Sequence, residues 1–79
     1  NAGHIIVELE RRQGKVKGLL SEYEEIRRLH FNDPDSLPVR QKGIYIALTA
    51  GISQAEQFLQ WCDESLPLLA SVKEDNSAP

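Results

Sequence analysis

The residues able to do chemistry are few and far apart. Cys62 is the only cysteine of the 79 residues, and His4 and His30 are the only histidines. A zinc site needs Cys and His ligands at short spacings, and neither histidine lies near Cys62. A Ser-His-acid arrangement is equally missing, and no Gly-rich loop follows a strand to cradle phosphate. Glu56 with Asp63 and Glu64 could be read as a carboxylate cluster for a metal, but a metal site in a helix bundle needs convergent ligands such as Glu-x-x-His. A solvated acidic face is the better reading. Cys62, beside Trp61, reads as a small core residue more readily than as a reactive thiol. His30 suits a helix C-terminus. The expectation is a chain with no catalytic, metal or cofactor site.

Charge gives little more. Arg11, Arg12, Lys15 and Lys17 form the only basic cluster, balanced by Glu8 and Glu10. The net charge of −3 is poorly suited to gripping a phosphate backbone. No apolar run approaches the ~20 residues of a membrane span. A lone thiol suits a reducing cytoplasm. Tyr23, Phe31, Tyr45, Phe58 and Trp61 could line a small-molecule pocket at a helix junction, though packing is the simpler use.

The elements that carry these residues are helical. From about His4 to Asn32 no proline occurs. Leu9, Val16, Tyr23 and His30 recur every seven residues, with a second series Ile5, Arg12, Leu19 and Ile26 beside them. Glu24 and Arg28 sit four apart with the acid first. Gly14 and Gly18 weaken the helix and suggest close approach by a neighbour. Asn32-Asp33-Pro34-Asp35-Ser36-Leu37-Pro38 ends this helix, because Pro34 disfavours helical geometry at Asp33. Asp35 or Ser36 can cap the next helix, with Pro38 in its first turn.

The second helix is expected from about Val39 to Val72. Tyr45, Ile52, Leu59 and Leu66 form one seven-residue series, and Leu48, Ala55, Cys62 and Leu69 the other. Ile44, Ile46, Phe58, Trp61 and Leu68 lie outside both, so this helix should touch more than the first one. Gly51, followed by a Ser53–Glu56 capping box, could start a third helix. The unbroken heptad register favours one helix, kinked at Gly51 and Pro67. The expected fold is all-α, two long helices in an antiparallel hairpin that packs as a homodimer. Asn1-Ala2 reads as a tag remnant, residues 3–73 as the helical domain and 74–79 as a flexible tail. A chain this short has at most ~5 kcal/mol of its own core stability, and without disulfide or metal the remaining staple is oligomerisation. Leu9, Val16, Leu19, Tyr23 and Ile26 are assigned to hairpin packing. Ile44, Leu48, Ile52, Ala55, Phe58, Leu59, Trp61, Cys62, Leu66 and Leu69 are assigned to core and dimer interface.

One pattern is more specific. Leu20-Ser21-Glu22-Tyr23-Glu24-Glu25-Ile26, then Asn32-Asp33-Pro34, then Gly51-Ile52 and Leu59-Gln60-Trp61-Cys62-Asp63-Glu64-Ser65-Leu66 with Leu69, resembles the C-terminal domain of PadR-like transcriptional regulators. The branch is that of bacterial virulence-gene activators, and the similarity spans about His4 to Val72. The resemblance implies a cytoplasmic dimerisation domain. It also implies that DNA is bound only by an N-terminal winged helix outside this chain. Trp61 and the Leu59, Cys62, Leu66 and Leu69 stripe would then pack the domain and its interface. An effector-sensing domain with a pocket between protomers, and a generic helical adaptor for another protein's amphipathic helix, are the alternatives.

Overall fold

The computed structural model describes the backbone of residues 1–77 and the side chains of residues 1–71. Two helices account for nearly all of it. α1 spans Ala2–His30, a single 3-10 turn spans Pro34–Ser36, and α2 spans Val39–Ser77. No strand occurs among the described residues. The tail expected over 74–79 lies outside the described side chains, and residues 78 and 79 lie outside the description altogether.

α1 begins because the Asn1 side chain accepts a hydrogen bond from the His4 N–H at 2.9 Å, satisfying one orphan donor of the first turn. Ion pairs then brace its outer surface. Arg11 and Arg12 both hold Glu8, at 2.6 and 3.1 Å. Arg27 pairs with Glu24, and Arg28 with Glu25. The Glu24–Arg28 pair expected from sequence is thus replaced by two pairs at three-residue spacing. The Arg11 and Arg12 guanidiniums pull the Glu8 carboxyl from its ordinary 4.5 to about 2. Arg27, Arg28 and His30 place positive charge where the helix dipole is negative. The helix stops two residues before Asn32, because Phe31 leaves helical geometry (φ −133°, ψ 42°) and turns onto Tyr45, ring centroids 5.7 Å apart.

In the connection, the Ser36 hydroxyl donates back to the Asp33 carbonyl rather than capping α2. Lys42 N–H donates to the Pro38 carbonyl at 2.9 Å, so Pro38 occupies the cap position of α2, one place before its first turn. α2 runs without interruption through Gly51, whose backbone is not in the left-handed region. No third helix starts at Ser53, since a break there would pull Ile52 and Ala55 out of the seam they occupy. Pro67 lies on the exposed side of α2. The Asp63 carbonyl it leaves without a donor therefore lies on the exposed side of the helix, open to solvent.

The helices pack antiparallel. Residue 13 meets 63, residue 23 meets 51, and residue 31 meets 45. Each step up α1 is a step down α2. The result is a rod of 64 × 15 × 15 Å, with a Cα radius of gyration of 17.9 Å. A compact chain of this length would have a radius of about 12 Å. The difference shows in the core, which is one seam deep. Phe31, Ile52, Ala55 and Cys62 are its buried apolar residues, and Cys62 is fully enclosed.

The glycines make a contrast that can be tested. A Cβ on Gly51 would sit 2.9 Å from the Tyr23 ring, whereas Gly14 and Gly18 have nothing within 4 Å. The close approach expected at Gly14 and Gly18 occurs instead at Gly51, because the first two face away from α2. Gly18→Ala should raise stability by about 1 kcal/mol through helix propensity alone. Gly51→Ala gains the same propensity but must displace a packed ring, and should lower stability by about 1 kcal/mol net. Urea midpoints of the two variants should move in opposite directions.

Candidate functional site, an apolar face of the hairpin

The seam sorts the remaining apolar residues by direction. On α2, Tyr45, Leu48, Ile52, Ala55, Leu59, Cys62, Leu66 and Leu69 point toward α1, all of them buried or half-buried. Both seven-residue series of α2 therefore line the seam. On α1 the seam takes Leu9, Val16 and Tyr23 together with Ile6, Gln13, Leu20 and Arg27.

That second set corrects the sequence reading. Leu19 and Ile26 sit at the flank of the seam rather than within it, Leu19 on the recess shared with Tyr23, Gly51 and Phe58. They are 42% and 40% exposed, and Ile5 and Arg12 of the same series are exposed with them. The two candidate series lie one residue apart, about 100° around the helix. The turn of Phe31 onto Tyr45 settles the rotation, because it draws Arg27 and Leu20 inward. The available signal was the alternation of four and three from Ala2 through Ile6, Leu9, Gln13, Val16, Leu20, Tyr23 and Arg27. Two polar members, Gln13 and Arg27, obscure it. Gln13 earns its place by donating to Asp63 across the seam at 3.4 Å.

In an antiparallel pair, the residue just before the seam position on one helix shares a flank with its counterpart on the other. One flank therefore carries Ile5, Arg12, Leu19 and Ile26 from α1, and Ile44, Gly51, Phe58 and Ser65 from α2. The opposite flank carries Glu10, Lys17 and Glu24 against Thr49, Glu56 and Asp63. One flank of the seam is thus mostly apolar and the other mostly polar, with Val7, Val39 and Ile46 exposed beyond the polar flank. Leu29, Ala47, Trp61 and Leu68 extend the apolar face outward, with Trp61 49% and Leu68 70% exposed. Phe58 and Trp61 stack at a tilt, centroids 5.9 Å apart. Of the residues assigned to core and interface together, Ile44, Phe58 and Trp61 lie on this face, Phe58 half-buried beside the recess at its middle, and the others lie in the seam.

A recess of about 220 Å³ opens in the middle of this face, where Gly51 leaves room between Tyr23, Gln54 and Phe58. The aromatic residues do not gather into one pocket. Phe31 with Tyr45, Tyr23 over Gly51, and Phe58 with Trp61 occupy successive levels of the rod. An open groove of about 680 Å³ lies beside Phe31 and Tyr45, but its charged rim is engaged in the Glu24–Arg27 and Glu25–Arg28 pairs. Among the described residues, no group of three or more His, Cys, Asp or Glu side chains is placed to hold a metal ion. No described helix is long and apolar enough to cross a membrane.

The family described as Virulence activator alpha C-term has a model that matches residues 1–70. No curated protein and no solved structure matches the chain.

Proposed function

The chain belongs to the virulence activator alpha C-terminal family, and from that footing we propose that it is the dimerisation domain of a bacterial PadR-like transcription regulator. The role is mechanical rather than catalytic. Two copies join through apolar helix faces and hold two winged-helix heads, carried elsewhere in the full-length protein, at a fixed separation. A two-fold DNA site repeats its half-sites at multiples of about 34 Å, so a rigid spacer between heads selects the operator by geometry. The protein acts in the cytoplasm, where its DNA is.

The observation that supports this reading is the apolar face. Ile5, Leu19, Ile26, Ile44, Trp61 and Leu68 are all exposed, at 40% or more. The chain exposes 5972 Å², against about 4800 Å² for a compact monomer of its mass. The excess is on the order of 1000 Å², comparable to the ~800 Å² that each partner gives to a standard interface.

Molar mass by light scattering, followed down a dilution series, tests the reading. The expected result is twice the 8.9 kDa chain mass, persisting to low micromolar concentration. A monomer throughout the series overturns it.

A further inference from the structure

We propose that the outer side of the first half of α2 is a docking surface for an acidic amphipathic helix of a different protein. That helix lies along Val39, Gly43, Ile46 and Ala50, between Arg40 and Lys42. The surface points away from α1 and is separate from the pairing face.

Position on the helix carries the first half of the argument. The seam takes Tyr45, Leu48, Ile52 and Ala55 from this part of α2. Val39, Gly43, Ile46, Ala50 and Ser53 form a second line, at alternating steps of four and three, about half a turn around the helix from the seam. All of its members are exposed. Val39, at 86%, is the most exposed large apolar side chain among the described residues, and Ile46 is 66% exposed. Between them a Cβ on Gly43 would meet nothing within 4 Å, so a neighbour can come close to the α2 backbone there. An uncharged line at this spacing, about 21 Å long, is what one helix presents to another. α1 packs on the opposite side and leaves it open.

Charge selects the occupant. Arg40 and Lys42 stand at the two positions that border such a line, where side-chain charge sets partner choice. The four arginines of α1 are all engaged by glutamates, whereas among the described residues neither Arg40 nor Lys42 makes an ion pair. No acidic residue occurs on α2 before Glu56. The complement is therefore an apolar stripe edged with Asp or Glu. A second copy of this chain does not supply it. Laid parallel on the same line it brings like charges side by side, and laid antiparallel about Ile46 it sets them against uncharged residues.

Two synthetic helical peptides test the surface. Both carry leucine along one stripe, one with glutamate at the bordering positions and the other with lysine. Fluorescence anisotropy of each labelled peptide is followed as the chain is titrated in. The glutamate peptide should bind about tenfold more tightly than the lysine peptide, and the double variant Arg40→Glu, Lys42→Glu should invert that order. Ile46→Glu should weaken the glutamate peptide about thirtyfold. Its own helicity by circular dichroism and its own molar mass should stay unchanged, because Ile46 touches neither the seam nor the pairing face. Three results overturn the proposal: no saturable binding of the glutamate peptide, equal binding of the two peptides, or binding indifferent to Ile46→Glu. A fourth is a change of molar mass in Ile46→Glu, which would assign the surface to a second copy of the chain.

Discussion

Ile52→Asp should abolish the fold. Ile52 is 3% exposed and sits at the narrow middle of the seam, beside Ala55 and level with the Tyr23–Gly51 contact. The substitution removes a buried branched side chain and puts a carboxylate with no countercharge in its place. The two effects together cost about 4 kcal/mol or more. A chain of this size has at most about 5 kcal/mol to lose. Far-UV circular dichroism should show most of the helical signal gone at room temperature. Ile52→Val at the same site removes one methylene and should cost only about 1 kcal/mol, leaving a folded hairpin with a lower urea midpoint. If Ile52→Asp keeps full helicity with an unchanged midpoint, the seam is misplaced.

Under the proposed pairing, Trp61→Ala should separate the two copies without unfolding either. Trp61 faces away from the seam, so its loss removes little that holds α1 to α2, and alanine favours the helix. Large aromatic side chains at interface centres commonly carry 2 kcal/mol or more each, and a symmetric pair presents two of them. The dimer should weaken by about a thousandfold, while helicity stays at its original level. Light scattering and circular dichroism on one sample read the two effects separately. A variant with unchanged dimer mass would move the interface off this face. Leu59, which the heptad pattern offers equally well as an interface position, is half-buried in the seam. A charge at Leu59 would test the hairpin before it tested the pairing.

These two residues also mark the boundary of what was legible without coordinates. The helices, their break at Asn32–Pro38 and the seam of α2 follow from local chemistry. Proline removes a donor and restricts its predecessor, and a seven-residue apolar repeat on a helix draws a nearly straight line. Tyr45 through Leu69 supply both lines of that seam without a polar interruption, so its direction was readable. α1 offered two apolar lines one residue apart, each broken by polar residues, on either side of Leu9, Val16 and Tyr23. Periodicity says which residues line up with one another. It does not say which line faces a neighbour.

The continuity of α2 through Gly51 was undecided in the same way. Ser53 and Glu56 present a valid capping box, and only the packing of Ile52 and Ala55 against α1 makes an unbroken helix the lower-energy choice. The sequence by itself determined two amphipathic helices, a sharp reversal between them, and more apolar surface than one seam can cover. The tertiary structure decided which of that surface is left over. Phe31 folds onto Tyr45 and sets the rotation of α1, so Leu20 turns inward. Leu19 and Ile26 then turn outward to the same side as Ile44, Phe58 and Trp61. A helix rotation of about 50°, half the angle between the two series, costs nothing in backbone hydrogen bonds, so no local signal could have fixed it. Only contact with the second helix distinguishes the two settings, and that contact leaves one face of the rod apolar.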